Sequence, residues 1–275
     1  MEYYKLLNLT KDPFSTSPDP SFFYNSYEHK ECLNRLEIAI RLRRGLSVVL
    51  GEVGTGKTTI SRMLIQRFAK EKNNFIMRII MDPTFKSEFE FMRNLCASFG
   101  IETSSRSSFE YKNDLENYLL QKGVKEKKVV VLIVDEGQKL TPTYIEVLRM
   151  LLNYETNEYK LLQLVIFAQS EFVHKMRRQP NFLDRISMNY VLNPLNEEDT
   201  KGLINTRLER SGLNDGRILF TDKAIKLVHM HTQGFPRRIS MFCHNALIET
   251  IRTNKKVVDE KTVLNLVRHE INWNG

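Results

Sequence analysis

The sequence predicts a parallel α/β domain followed by a small all-helical one, and three observations carry that expectation. Short apolar, β-branched runs alternate with helical periodicities as far as residue 193. One of them, Val129-Val130-Val131-Leu132-Ile133-Val134, is apolar without a break, as an inner parallel strand covered on both faces must be. Beyond Asn193-Pro194 only helical patterns remain.

The elements follow in order. Residues 1–30 read as an extended arm rich in aromatics and proline, with Asp12-Pro13-Phe14 and then Pro18-Asp19-Pro20-Ser21-Phe22-Phe23-Tyr24, because proline at this density denies a helix or an inner strand. Its aromatic rings are expected to pack either over a nucleotide base or over the edge of the core. Residues 31–193 form the α/β domain. A helix over 28–43, with Leu33, Leu36, Ala39, Ile40 and Leu42 apolar, leads to a strand over 46–50. Helix 57–70, strand 74–81, helices 86–99 and 108–121, and strand 129–134 come next. Helix 142–153, strand 161–168, helix 170–178 and strand 187–192 complete the series. Residues 194–275 form the helical lid, with helices over 196–212, 221–231, 235–252 and 259–272, and with Asn196, Thr221 and Asp259 as N-caps.

A chain of 275 residues, 41% hydrophobic and 27% charged, is ordinary for a globular protein with a large core. Cys32, Cys96 and Cys243 are far apart and form no C-x-x-C pair, which argues against a disulfide framework or a zinc site and fits a cytoplasmic setting. Neither a signal peptide nor a transmembrane run is expected, since no apolar stretch approaches the roughly 18 residues a membrane span needs. The net charge of +8 favours an anionic polymer or surface as partner, although many of the lysines and arginines belong to solvated helix faces.

The chemistry begins at Gly51-Glu52-Val53-Gly54-Thr55-Gly56-Lys57-Thr58, a full match to G-x-x-x-x-G-K-[S/T] placed between a strand and a helix. Glycines at these positions let backbone N–H groups turn toward a polyphosphate, while Lys57 reaches the β- and γ-phosphates and Thr58 can ligate magnesium. The predicted class is therefore a P-loop NTPase. The second signal is Asp135-Glu136 at the end of the continuous apolar strand, which reads as a Walker B pair: Asp135 for the magnesium shell and Glu136 as the general base that polarises the attacking water. Gln169, at the polar end of strand 161–168, can touch both γ-phosphate and water in the role called sensor 1, with Ser170 as the alternative. In Gly234-Phe235-Pro236-Arg237-Arg238, the turn puts Arg237, ahead of Arg238, in the first turn of a helix where it can couple phosphate loss to movement of the lid. Arg185, with Arg177 and Arg178 behind it, is the candidate finger for a neighbouring subunit's γ-phosphate.

Together these residues resemble the AAA+ ATPases, and within them the ExeA-like group, also called general secretion pathway protein A. The likeness runs through Asp12-Pro13-Phe14, Pro18-Asp19-Pro20, Tyr24 and Glu28-His29, then Gly51 to Thr58 with Thr59, Val134-Asp135-Glu136-Gly137-Gln138 and Gly234-Phe235-Pro236-Arg237. It implies ATP–Mg2+ hydrolysis by a homo-oligomer, ring or filament, with active sites between subunits. It also implies a membrane-associated assembly partner, a part in building a secretin or pilus machine, and a location in the cytoplasm or, through that partner, at the inner membrane. Secretion-type ExeA proteins continue into a membrane segment and a peptidoglycan-binding domain, and the sequence stops at Gly275 without either. The same core is similar to transposition target selectors of the MuB and TniB type, which bind double-stranded DNA as ATP-dependent filaments and serve a transposase. The basic balance suits that alternative. The spacing leaves open whether His29 or the aromatic arm contacts adenine.

Overall fold

The computed structural model of the chain describes residues 3–15, 20–101, 107–213 and 216–273; Pro18 and Asp19 of the arm motif lie outside the described residues. Two short 3₁₀ turns, Tyr3–Leu7 and Pro20–Phe22, precede the first helix, so the arm is less extended than its prolines suggest. The first turn forms ahead of any proline, where nothing removes a backbone donor.

The elements of the α/β part run α1 (Tyr27–Arg41), β1 (Leu46–Leu50), α2 (Lys57–Phe68), β2 (Phe75–Ile80), α3 (Glu88–Ser98), α4 (Ser108–Leu120), β3 (Val129–Val134), α5 (Pro142–Leu151) and β4 (Leu162–Ala168). One helix then stands where the periodicity predicts it, over 170–178, and a second, short one that the periodicity does not predict follows it. They are α6 (Phe172–Arg177) and α7 (Pro180–Leu183), and Pro180 opens the second because its ring and missing N–H suit only a first helical turn. β5 (Ile186–Val191) closes the sheet. Four helices follow, α8 (Glu197–Arg210), α9 (Asp222–Thr232), α10 (Pro236–Arg252) and α11 (Glu260–Trp273). Asn196 and Thr221 accept from Asp199 N and Ala224 N, and Asp259 from Thr262 N, which satisfies orphan donors at three helix starts.

All five strands are parallel, in the order β2-β3-β4-β1-β5. Every residue of β3 and β4 is buried, as the continuous apolar run of β3 and the largely apolar sequence of β4 lead one to expect, whereas β5 alternates between half-buried and exposed positions, as an edge strand should. Because the strands are parallel, their C-terminal ends share one edge of the sheet and their N-terminal ends the other.

The described residues pack as two compact units. One takes Lys30–Val53 and Ile60–Leu192, with its core between sheet and helices; the other takes the described parts of Met1–His29, Gly54–Thr59 and Asn193–Gly275. In the second unit Leu7, Leu9 and Phe14 of the arm join Leu195, Ile204, Phe220, Ile239 and Phe242 in one apolar cluster. Phe14 meets Phe220 edge to face at 5.9 Å, Arg207 lies over the ring of Phe22, and Tyr24 donates to Asp199 Oδ1 at 3.2 Å. Of the two sequence expectations for the arm's rings, these contacts favour packing against a helical core.

Candidate nucleotide site

The phosphate-loop sequence leaves the end of β1 and enters α2. Gly51, Glu52 and Val53 belong to the sheet unit; Gly54, Thr55, Gly56, Lys57, Thr58 and Thr59 belong to the helical unit. Gly51 N donates to Ala168 O at 3.1 Å, tying the loop's first residue to the end of β4. Glu52 accepts a 2.6 Å bond from Ser170 Oγ, so the serine that sequence offers as a sensor alternative is engaged by a loop carboxylate.

Within the helical unit the loop is held from beneath by His29, a residue to which sequence reasoning gives no such task. Its Nε2 lies 3.0 Å from Thr55 O and its Nδ1 2.6 Å from Ser26 Oγ. A carbonyl can only accept, so Nε2 carries the proton and Nδ1 accepts from the serine hydroxyl. Ser26, His29 and Thr55 are all buried, and Phe23 meets the imidazole edge to face at 5.4 Å. Burial pushes the imidazole pKa down from its ordinary value, against the opposing pull of the Thr55 carbonyl, Asp199 and Glu28, and favours this neutral ring. The ring also dictates Gly56. At φ +104 an L side chain would be strained, and a Cβ would stand 2.7 Å from His29 Nε2. The sequence signal was Ser26-x-x-His29 at the start of α1, with no local pattern pointing to the loop.

The turn before α10 reaches the same loop. Arg237 N donates to Gly54 O at 3.3 Å from the first turn of the helix, and the Arg237 side chain is exposed. Arg238 is exposed and stacks over Phe235 at 4.9 Å. Gly234 makes the turn possible. It has φ +74, a Cβ there would sit 1.9 Å from Leu195 O, and its own carbonyl accepts from Leu195 N at 2.9 Å.

In the sheet unit, Asp135 and Glu136 follow the last residue of β3, at the C-terminal edge. Asp135 is buried, its N donates to Ile80 O at 2.9 Å, and its Oδ1 accepts from Glu136 N at 3.0 Å. Glu136 has φ +56 and ψ +37, a left-handed conformation uncommon outside glycine. Gln138 completes the cluster. Its Nε2 donates to Glu136 Oε2 at 2.6 Å, and its Oε1 accepts from Gln169 N at 3.1 Å. Lys175 Nζ donates to the carbonyls of Gln138 and, at 3.1 Å, Leu140. One amide thus joins the glutamate to the backbone of the residue expected to sense phosphate. Gln138 is legible as part of a motif, but its bridging needs β3 beside β4.

Arg185 stands apart from this cluster. It immediately precedes β5, at the N-terminal edge, and a six-residue strand spans about 20 Å. In its own sheet it is therefore a strand's length from the level of Asp135 and Glu136. Its charge is felt by Glu146 and Glu155, both held below the usual carboxylate range, first by Arg149 and by Lys160 respectively. Arg177 and Arg178, at the end of α6, are exposed.

Among the described residues no helix is long and apolar enough to cross a membrane, and no cluster of three or more His, Cys, Asp or Glu side chains is disposed to hold a metal. Comparison with known proteins agrees with the geometry. The AAA domain family matches residues 40–176. Over 261 residues the chain is 36% identical to general secretion pathway protein A of Aeromonas hydrophila, covering 93% of this chain and 46% of that protein. The chain thus spans about half the length of that relative. In fold it is similar to Cdc6p of Pyrobaculum aerophilum, at 19% identity and TM-score 0.66, over 87% of this chain and 68% of that one. It is similar also to the ORC2 protein of Aeropyrum pernix, solved as ADPNP–ADP complexes, at 16% identity and TM-score 0.65, over 88% and 69% of the two chains. Identities this low speak for the fold alone. With its five-stranded parallel sheet, its phosphate-loop sequence and the AAA domain match, the chain has the AAA+ P-loop fold, and in sequence it is similar to general secretion pathway protein A.

Proposed function

We propose that the chain is an ATPase that works as a homo-oligomer, assisting assembly of a secretion or pilus complex in the envelope through a membrane-associated partner. The observation that carries hydrolysis is the strand-end pair: buried Asp135 beside a left-handed Glu136, two strands away from the β1 that leads into a complete phosphate loop. The pathway rests on the likeness to general secretion pathway protein A.

On this reading Mg-ATP is the substrate. Backbone N–H groups from Gly51 to Thr59 cradle the phosphates and Lys57 supplies the neighbouring positive charge. The Thr58 hydroxyl and Asp135 carboxylate are hard oxygen donors of the kind magnesium takes alongside water and nucleotide phosphates. Glu136 accepts the proton of the attacking water, Gln169 orients that water, and Arg237 reports loss of the γ-phosphate to α10. Arg185 serves the site of the next subunit.

The test is ATP titration and turnover of the wild type, Lys57→Ala and Glu136→Gln. Lys57→Ala is expected to lose nucleotide binding, and Glu136→Gln to bind ATP without turning it over. Unchanged affinity in the first, or retained turnover in the second, removes the assignment. Duplex DNA that accelerates turnover, with an effect fading as salt rises, would move the pathway to the transposition type.

A further inference from the structure

The edge of the sheet opposite Asp135 and Glu136 carries a positive surplus close to the chain's whole net charge. The segments 41–45, 69–74, 121–128 and 155–160, which lead into β1, β2, β3 and β4, hold ten lysines and arginines against four glutamates. That surplus of six compares with a formal +8 for the whole sequence. The segments form one rim. Arg43 donates to Lys127 O at 2.7 Å and to Gly123 O at 3.4 Å, and its guanidinium stacks over Tyr159 at 4.2 Å. Lys160 N donates to Arg43 O at 3.3 Å, and Arg41 bonds Glu71 at 2.7 Å.

The bland explanation is compensation of helix dipoles, since α1, α2, α4 and α5 end just before these strands. Four C-termini at about half a charge each supply roughly −2, which leaves most of the surplus unmet. Arg44, Lys70, Lys72, Lys125 and Lys127 are exposed, and none of them has a carboxylate partner among the described residues. Bare aliphatic side chains stand among them. Leu42, beside Arg43, is 57% exposed, and Val124, beside Gly123, is 41% exposed. A nucleic-acid backbone offers such side chains only charged, hydrated oxygen. A bilayer interface accepts both, with lysines at the headgroups and short apolar side chains just below them.

We propose that this rim, at the N-terminal edge of the sheet, is a docking surface for an anionic lipid bilayer, held by Lys70, Lys72, Lys125 and Lys127 and entered by Leu42 and Val124. Docking there leaves the C-terminal edge, with Asp135 and Glu136, facing away from the lipid. The proposal stands whether or not the chain hydrolyses ATP.

The test is co-sedimentation of the full chain with phosphatidylcholine vesicles, with and without phosphatidylglycerol. Binding is expected only with the anionic lipid and is expected to weaken steeply toward 1 M salt, where the screening length is about 3 Å. Lys125→Gln/Lys127→Gln should lower the vesicle partition roughly 30-fold, at about one headgroup-level interaction per lysine. Leu42→Ser/Val124→Ser should lower it roughly tenfold while keeping the salt dependence. Lys70→Gln/Lys72→Gln gives an independent pair should the first fold poorly, and the thermal midpoint and ATP affinity of each variant are read alongside. Equal binding to both vesicle types overturns the proposal, as does anionic binding untouched by either lysine pair. Binding of duplex DNA through these lysines, with no binding to anionic vesicles, replaces the lipid with nucleic acid.

Discussion

Replacing His29 tests how the phosphate loop is held. The peptide unit between Thr55 and Gly56 is planar and trans, so its C=O and N–H point in opposite directions. His29 Nε2 holds the Thr55 carbonyl at 3.0 Å on the inner side, which leaves the Gly56 N–H directed outward, where the proposed phosphate lies. His29→Ala frees that peptide to rotate. Two costs follow. On stability, the buried Thr55 carbonyl and Ser26 hydroxyl each lose this partner at roughly 1–3 kcal/mol, and the edge-to-face contact with Phe23 adds about 1 kcal/mol. On binding, a backbone N–H donating to a charged oxygen is worth about 1.5–3 kcal/mol, so the Kd for ATP should rise roughly 10- to 100-fold. His29→Gln separates the two effects, because its amide nitrogen reaches nearly as far as Nε2 and can still donate to Thr55 O. It should lose stability yet keep the Kd within about threefold. Fluorescent-nucleotide titration, with denaturant melts of the same samples, reads both quantities. If Ala and Gln weaken ATP binding equally, or if neither does while both lose stability, then His29 supports the fold only and the orienting role is wrong.

The same residue gives a pH dependence. The imidazole pKa is depressed in the native state chiefly by burial, so its contribution is whole above the unfolded value near 6.5. It is lost as pH falls from there through the native pKa, because the unfolded chain takes up the proton first; the wild-type melting temperature should therefore drop across that window more steeply than that of His29→Gln. Gly234→Ala should cost more than about 3 kcal/mol, since the new methyl meets a backbone carbonyl at 1.9 Å where φ is +74, and a denaturant midpoint within error of wild type would refute this. Arg185→Ala should bind ATP normally and turn over poorly. Mixed with Lys57→Ala protein it should regain part of the activity, because each variant supplies what the other lacks; the absence of any recovery at equal mixing counts against a finger acting across subunits.

What could be read from the sequence was what is local. Val129 to Val134 is apolar throughout and Leu162 to Ala168 is apolar but for Gln163, because strands covered on both faces favour apolar positions; the structure buries every one of those residues and gives Gln163 hydrogen bonds to Gly45 N and Lys160 O. The phosphate-loop match is a run of eight consecutive residues, and Asp135-Glu136 adjoins its strand, so neither needed long-range information. The expected helix over 170–178 ends before Pro180, as α6 does, but α7 is a single four-residue turn, too short to leave a helical periodicity in the sequence. His29 lies 26 positions from the carbonyl it holds, and Gln138 lies 31 from the backbone nitrogen it accepts from. The second of these distances closes only when β3 lies beside β4. The arm's aromatics were left between two destinations because nothing near them in sequence names the partner; Phe220 does, from the far side of the chain.

That last pairing has a consequence in time. Thr10 N and Oγ1 both donate to Ser211 O, a partner 201 residues later, and Leu7, Leu9 and Phe14 are covered by helices made last. At about 5–20 residues per second, the arm leaves the ribosome roughly 10–40 s before its cover exists. β1 waits as well, since both of its neighbours, β4 and β5, lie more than 100 residues further along the chain. The earliest segments made are thus among the latest to be buried. For that interval the arm is a short, aromatic, unpartnered peptide, and the stretch of this chain most in need of a chaperone is its beginning.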